Sequence, residues 1–290
     1  MTTIRFISPG VTITIIASVI PHEVDQVDIY SAQWGFQYYG AMYFEEVLLD
    51  AVRHGATVCV TVPRCASQRH CVVRHGAPVH FAVRHSASVG RDGKGSVYVF
   101  SSGNLNGLFE DINTSMLDQL PELNQVGAID DRGAPQYYMT PGDGVMVVAY
   151  CGAVDPDSLR SIVVAIPVDF CYKAGVAGTS FFSPMVTGAV ALTLQANPDL
   201  TWRDVYHILI ELANIENLIG NDIFRNWAGL LCCDMCLFYV NYQVFKLFNG
   251  RELYLGFGLV NEEAMVTLAQ SWENVGDQVI CDTGDISVNG

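Results

Sequence analysis

The sequence predicts an α/β protein in which a mostly parallel β-sheet is covered by helices on both faces. Short apolar runs rich in β-branched residues alternate with segments of helical periodicity, and this alternation is typical of parallel strands joined by crossover helices. Half of the 290 residues are hydrophobic and 16% are charged, so the chain has enough apolar side chains for a large core and is not expected to be disordered.

Five apolar runs predict the strands of this sheet: residues 27–30, 97–100, 126–129, 145–150 and 162–166. Functional side chains of such sheets lie at the carboxyl ends of the strands. The polar segment 101–104, Ser-Ser-Gly-Asn, directly follows the second run and is therefore a candidate part of a site.

A long apolar helix is predicted to follow Ser180, with Pro184 near its start. Its side chains are apolar on nearly all sides, which predicts a central, buried helix. A serine at the mouth of such a helix suits acyl transfer, because backbone N–H groups and the helix dipole favour the negative charge that develops there. A plain core helix has the same pattern, so these residues alone leave both interpretations open.

A second helix is predicted to begin after Thr201. Thr201 and Asp204 have the spacing of a capping box, in which each side chain accepts from the backbone N–H of the other residue. Val205, Ile208 and Leu209 then give the helix an apolar face, which indicates packing against the core and no chemical role.

The stretch GTSFFSP, followed by GAVALTLQANPDLTWRDVYHIL, resembles the nucleophile region of the subtilases. It is most similar to the kexin and furin branch, whose members process precursor proteins after basic residues. Three further stretches resemble the same branch in its order: 27–35, 93–104 and 256–275. The first twenty residues resemble the family segment just upstream of these. The resemblance implies a subtilisin-like sheet that is incomplete on its N-terminal side.

The resemblance also implies roles for particular residues. Ser180 matches the nucleophile that attacks the scissile carbonyl and forms an acyl-enzyme. Asn104 matches the oxyanion-hole asparagine, whose side-chain amide donates to the tetrahedral intermediate. Four more residues match substrate-binding positions of the family: Trp34, Gly35, Gly103 and Thr179.

A serine nucleophile needs a base, and the base needs an orienting carboxylate. In subtilases the aspartate and histidine lie on motifs upstream of everything matched here, so the chain by itself is expected to be inactive or nearly so. Three residues imitate the missing partners. Asp282 follows the last helix of the domain, His54 follows the Trp-Gly strand, and His207 lies within the helix after Thr201, so we expect none of them to join a triad.

The substrate loop departs from the family pattern. Relatives follow the Trp-Gly pair with proline and acidic residues, which help to bind calcium and to select basic side chains. Here Trp34 and Gly35 are followed by Phe-Gln-Tyr-Tyr-Gly, residues 36–40. The calcium expected of the family is therefore in doubt for this chain, as is a strong preference for arginine. No metal ligands are assigned.

The resemblance divides the chain into two parts. Residues 1–275 form a partial subtilisin-like peptidase domain, and residues 276–290 form the start of a truncated P domain. Two ranges, about 56–90 and 230–248, fit neither the strand–helix alternation nor the family and are interpreted as insertions. The first is rich in histidine and cysteine, but it lacks paired C-x-x-C spacing, which argues against a zinc module.

Composition limits the partners and the location. The net charge of −15 argues against binding nucleic acid and suits substrates rich in arginine and lysine. The apolar residues 11–20 imitate a signal peptide, but they resemble an internal family segment, so no credible signal peptide is predicted. No uncharged apolar stretch reaches about 20 residues, so no transmembrane segment is predicted. The resemblance implies a secretory or extracellular location.

Two functions remain open at this point. The first is a subtilisin/kexin-type serine endopeptidase that hydrolyses precursor proteins after basic residues through an acyl-serine intermediate. The second is a non-catalytic protease homologue that binds peptides or partner proteins through the residual cleft. The altered loop at 36–39 favours the second function, while the intact Gly-Thr-Ser motif and Asn104 favour the first.

Overall fold

The computed structural model describes residues 24, 26–33, 78–106, 112, 120–151, 162–165, 172–216, 218–219 and 254–276. Their strands, in chain order, are β1 (Ile29–Ala32), β2 (Val97–Ser101), β3 (Leu123–Ile129), β4 (Val145–Tyr150), β5 (Ile162–Ala165) and β6 (Tyr172–Val176). Their α-helices are α1 (Pro78–Val89), α2 (Ser183–Ala196), α3 (Trp202–Leu212) and α4 (Glu262–Ala269). Short 3₁₀ turns occupy Arg91–Gly93 and Thr179–Phe181.

The predicted parallel sheet is confirmed. Strands β1, β2, β3 and β4 lie side by side in chain order, and every neighbouring pair is parallel. Strand β3 is buried throughout and β2 is buried except at its last residue. Their buried side chains are aliphatic, aromatic and polar, and the aromatic and polar ones include Tyr98, Phe100, Asn124 and Gln125. The carboxyl ends of β1 and β2 therefore lie at the same edge, where residues 33 and 102–104 follow them.

The fifth predicted strand exists, but its pairing differs from the expectation. Strand β5 pairs antiparallel with β6 in a separate two-stranded sheet. The sequence of β6, Tyr-Lys-Ala-Gly-Val, contains a lysine and a glycine and so lacks the apolar run that marks the other strands. An apolar run identifies a strand, but it does not identify the partner or its direction.

A close backbone approach extends the sheet beyond β4. Phe257 N donates to Met146 O at 2.8 Å, and Val260 N donates to Val148 O at 3.0 Å. Gly256 turns the chain onto this edge with φ of +57°. A Cβ at Gly256 would lie 2.4 Å from Met146 O, so a residue without a side chain is needed there.

Helix α2 packs one face against the sheet and α4. Its buried residues include Val186, Val190 and Leu194, which belong to the main hydrophobic core. Met185 and Leu192, in contrast, are 54% and 55% exposed. The expectation of burial on all sides was therefore wrong, because an apolar helix is buried only where other elements cover it.

Helix α1 lies within the range interpreted as the first insertion. Residues Ala82, Val83, Ser86 and Ala87 of this helix are buried, so the described part of the range contributes to the packed interior. The helix leads directly into the turn at 90–96 that precedes β2. In this turn the guanidinium of Arg91 donates to Leu200 O at 2.8 Å and so ties the start of β2 to the segment after α2.

The capping box at Thr201 is confirmed, and its carboxylate does more than cap the helix. Asp204 is completely buried. One carboxylate oxygen accepts from the backbone N–H and the hydroxyl of Thr201, each at 2.6 Å. The other oxygen accepts from Trp272 Nε1 at 3.0 Å and Val275 N at 2.8 Å. Asp204 thus holds the segment after α4 against α3.

Among the described residues, no helix is long and apolar enough to cross a membrane.

Replacing Asp204 tests this connection. Asp204→Ala leaves the indole N–H and two backbone N–H groups without acceptors and removes the carboxylate half of the capping box, so it is expected to lower the free energy of unfolding by about 3 kcal/mol. Urea denaturation followed by tryptophan fluorescence measures the change. Asp199→Ala is the control, because its side chain is 84% exposed and pairs with Lys94 on the surface; it should cost about 0–1 kcal/mol. Equal losses for the two variants would contradict the assignment.

Candidate active site

Three segments meet at the carboxyl edge of the parallel sheet. Gln33 follows β1, and Asn104 lies three residues after β2. The 3₁₀ turn that contains Thr179 and Ser180 connects β6 to α2. Hydrogen bonds join this turn to both other segments. The structure therefore brings Asn104, Thr179 and Ser180 together, although 75 positions of sequence separate Asn104 from Thr179.

The side-chain amide of Asn104 has a defined orientation. Its Oδ1 accepts from Thr179 N at 3.0 Å and from Thr179 Oγ1 at 3.2 Å. A backbone N–H can only donate, so the atom that faces it must be the carbonyl oxygen of the amide. The Nδ2 donor therefore points away from Thr179. Thr179 is fully buried, whereas Asn104 is exposed, so a ligand in solvent has access to this side chain.

The hydroxyl of Ser180 is half-buried and has a backbone partner. Ser180 Oγ donates to the carbonyl oxygen of Gln33 at 2.9 Å. An amide carbonyl accepts a hydrogen bond but is far too weak a base to remove the proton of a serine. The contact fixes the position of the hydroxyl at the end of β1 without activating it.

A chain of polar side chains connects β1 to α2 just behind this contact. Gln33 Nε2 donates to Ser31 Oγ at 2.5 Å, and Thr187 Oγ1 donates to Ser183 O at 2.8 Å. The two hydroxyl oxygens, of Ser31 and Thr187, are 2.8 Å apart. Since the proton of Thr187 is engaged by Ser183 O, Ser31 must be the donor between them. This chain of side chains could not be predicted from the sequence, because its members lie in or beside a strand and a helix expected to be apolar.

The residues before Ser180 are held by a tyrosine. Gly178 N donates to the Tyr138 hydroxyl at 3.0 Å, and this hydroxyl lies 2.8 Å from Cys151 Sγ. Gly178 has φ of +135°, a conformation that glycine adopts without strain. Burial raises the pKa of Tyr138 above its ordinary range, and the hydrogen bond with Cys151 adds to the rise. Burial also raises the pKa of the Cys151 thiol. Both groups are therefore neutral at physiological pH.

Gly103 forms the turn that carries Asn104. Its φ is +94°, and its carbonyl accepts from Thr140 N at 3.1 Å. A Cβ at this position would lie 2.9 Å from Thr140 Oγ1. Thr140 Oγ1 also accepts from Leu105 N at 2.9 Å. The segment around Thr140 thus fixes the Asn104 loop on the side away from β1.

The other residues considered in the sequence have different outcomes. Trp34, Gly35, His54 and Asp282 lie outside the described residues. His207 lies on α3, half-buried with its ring edge-on to Tyr206, and Ser180 Oγ bonds to Gln33 rather than to this imidazole. Within the described ranges, no cluster of three or more histidine, cysteine, aspartate or glutamate side chains could hold a metal ion.

The family model of the subtilases matches residues 3–229, more than half of the chain, so the chain belongs to the subtilase family. Its curated relatives are kexin-like endoproteases. It is 30% identical over 200 residues to the PC3-like endoprotease variant B of Hydra vulgaris, covering 69% of this chain and 26% of that protein. It is 26% identical over 278 residues to proprotein convertase subtilisin/kexin type 5 of Rattus norvegicus, covering 96% of this chain and 12% of that protein.

The chain thus spans about a quarter or less of the length of these two relatives. Among solved structures, the serine protease of Aeromonas sobria matches with a TM-score of 0.55 and 16% sequence identity, covering 86% of this chain and 44% of that chain. This likeness concerns the fold, and it agrees with the predicted subtilisin-like sheet flanked by helices. The resemblance to the kexin-like subtilases is confirmed.

Two substitutions of Asn104 separate its structural bonds from its free donor. Asn104→Ala leaves the buried N–H and hydroxyl of Thr179 without their acceptor and is expected to lower the free energy of unfolding by about 1–3 kcal/mol. Asn104→Asp keeps an acceptor for both groups but loses the Nδ2 donor, so at pH 7 it should retain most of the stability. Chemical denaturation of the three proteins measures the difference. A loss as large in Asn104→Asp as in Asn104→Ala would contradict the orientation assigned to the amide.

His207 gives the fold a dependence on pH. Burial lowers its pKa below the ordinary value, Arg203 lowers it further, and Asp204 partly opposes the shift. The unfolded chain therefore binds a proton at His207 more readily than the folded chain, and stability is lost as the pH falls from about 7 through the ordinary pKa of histidine, about 6.5, toward the lowered one. Thermal unfolding of the wild type should lose more between pH 7.5 and pH 5.5 than that of His207→Gln. Parallel pH curves would exclude this contribution.

Proposed function

We propose that this chain carries the nucleophile and oxyanion-binding part of a kexin-type serine endopeptidase active site. Ser180 attacks the scissile carbonyl of a peptide, and Asn104 Nδ2 donates to the oxyanion that forms. The observation that carries the proposal is the orientation of the Asn104 amide, because Thr179 occupies its oxygen and leaves its donor for a ligand next to Ser180.

The reaction would proceed in two steps. Attack by Ser180 Oγ gives a tetrahedral intermediate that collapses to an acyl-serine and releases the amine product, and water then hydrolyses the ester. Both steps need a base to accept a proton. In the structure the proton of Ser180 is directed to the Gln33 carbonyl, which is not a base. We therefore propose that this 290-residue chain alone is inactive or nearly so.

The proposed substrates are precursor proteins cleaved after basic residues. The relatives bear the names of proprotein convertases and endoproteases, and the net charge of −15 favours the approach of basic peptides. Trp34, Gly35 and Gly103 would line the substrate groove, as their positions in the family motif imply. Thr179, expected at the same groove, is fully buried and would act by holding the Asn104 amide. The whole protein would act in the secretory pathway or outside the cell. Calcium is a property of the family and is not assigned to any residue here.

A second candidate function is a peptide-binding homologue without catalysis. The hydrogen bond from Ser180 Oγ to Gln33 O favours this function, because a structural role alone is enough to explain a serine at this position. In this case peptides would bind in the cleft without forming a covalent bond to Ser180.

A peptide boronic acid ending in borono-arginine distinguishes the two functions. The Ser180 oxygen bonds to boron while the hydroxyl proton passes to the buffer, and the resulting tetrahedral boronate imitates the intermediate without turnover. We expect a tetrahedral ¹¹B NMR signal on the wild-type chain and no such signal on Ser180→Ala. In Asn104→Asp the affinity for the boronic acid should fall by about 10-fold or more. A borono-phenylalanine peptide serves as the specificity control. Binding that is equal in wild type and Ser180→Ala, with trigonal boron in both, would favour the non-catalytic function.

The expected inactivity has its own test. A fluorogenic peptide ending in paired basic residues should give no turnover above that of Ser180→Ala. Turnover that is present in the wild type and absent in Ser180→Ala would overturn the proposed inactivity while supporting the proposed nucleophile.

A further inference from the structure

We propose that Tyr138 is a positioning residue for the proposed reaction, which holds the nucleophile segment and the Asn104 loop at a fixed separation. The proposal rests on the proposed function, since that function gives Ser180 and Asn104 their roles. Tyr138 was not among the residues to which the sequence pointed, and it lies near neither residue in the chain. Two of its polar groups, the hydroxyl and the main-chain carbonyl, contact one segment each.

The hydroxyl of Tyr138 contacts the nucleophile segment. It accepts from Gly178 N at 3.0 Å. The hydroxyl also lies 2.8 Å from Cys151 Sγ, and since the phenol O–H is a stronger donor than a thiol S–H, the phenol proton is directed to the sulfur. Cys151 is buried and directly follows β4. Strand β4 is paired with β3, so the position of Cys151 is fixed by the sheet. The order of donation is therefore Gly178 N–H to Tyr138 O–H to Cys151 Sγ.

The main chain of Tyr138 contacts the other segment. Its carbonyl oxygen accepts from Asn106 N at 3.2 Å, two residues after Asn104. The bonds of Thr140 to Gly103 and Leu105 strengthen the same connection. A single short segment thus touches the loop with the oxyanion donor through its backbone and touches the nucleophile segment through the Tyr138 side chain.

The hydrogen bond from Gly178 to the Tyr138 hydroxyl fixes the backbone just before Thr179 and Ser180. The N–H of Gly178 is held by Tyr138, and its carbonyl accepts from Phe181 N at 3.2 Å, so both polar groups of one peptide residue are fixed. A glycine can adopt many backbone conformations, and the contact with Tyr138 favours the one with φ of +135°. The next residue, Thr179, holds the Asn104 amide, and the one after it is Ser180. Loss of the Tyr138 hydroxyl should therefore disturb the distance between the nucleophile and the oxyanion donor.

The neighbouring tyrosine provides a matched control. Tyr137 is 72% exposed and packs its ring edge-on against Tyr138 with centroids 5.3 Å apart. Tyr137→Phe and Tyr138→Phe remove the same atom one residue apart and keep both rings. Cys151→Ser keeps an acceptor for the phenol, while Cys151→Ala removes it.

The test compares two ligands of the full 290-residue chain: the borono-arginine peptide, and the same peptide with a carboxamide in place of boron. Tyr138→Phe is expected to weaken the boronate by about 3- to 10-fold, the range for one lost hydrogen bond, and to leave the carboxamide peptide unchanged. Tyr137→Phe and Cys151→Ser should leave both affinities within about 2-fold, and Cys151→Ala should weaken the boronate alone. A merely structural role would weaken both ligands together or neither.

Amide hydrogen exchange of residues 177–182, followed by mass spectrometry, keeps the proposal testable if the wild type forms no tetrahedral adduct and the proposed function fails. Tyr138→Phe should then accelerate exchange in this segment, while Tyr137→Phe should not. Unchanged exchange in Tyr138→Phe overturns the inference, and so does an adduct on which Tyr138→Phe and Tyr137→Phe behave alike. Thermal unfolding of each variant confirms that the folded proteins are being compared.

Discussion

The two hydrogen bonds that Thr179 donates to Asn104 Oδ1 are the constraint on which the arrangement of the site depends. They join the loop after β2 to the turn before α2, and they settle which end of the amide faces solvent. Both donors belong to Thr179, which is fully buried, so leaving them without an acceptor would destabilise the fold. This keeps Asn104 in place. The turn also directs α2, because the helix begins only three residues after Ser180.

Around this constraint, the structure holds Ser180 from three sides. The end of β1 receives its hydroxyl, the polar chain behind Gln33 ties β1 to the first turns of α2, and Tyr138 holds the residue before Thr179. Each contact positions an atom and none of them activates it. Among the described residues, Ser180 Oγ bonds to a backbone carbonyl and to no side-chain base. The chain belongs to the subtilase family and covers 26% and 12% of two of its relatives.

The fold and part of the site could be predicted because their signals are local. Uniform apolar runs marked β2 and β4, the spacing of Thr201 and Asp204 marked a cap, and Gly-Thr-Ser marked the proposed nucleophile. The rest depends on pairs that are distant in sequence. Ser31 and Thr187 are 156 positions apart, and nothing near either residue shows that they meet. The antiparallel partner of β5, the exposed face of α2 and the contact of Tyr138 with Gly178 are hidden for the same reason.

The polar chain from Gln33 to Ser183 runs in one direction, and this has a consequence for how the sequence changes over evolutionary time. Ser31 is both acceptor and donor, and Thr187 receives its proton only because Ser183 O takes the next one. Because Ser31 is exposed and Thr187 is half-buried, water can replace either hydroxyl when the other is substituted. Descendants of this sequence can therefore change positions 31 and 187 one at a time.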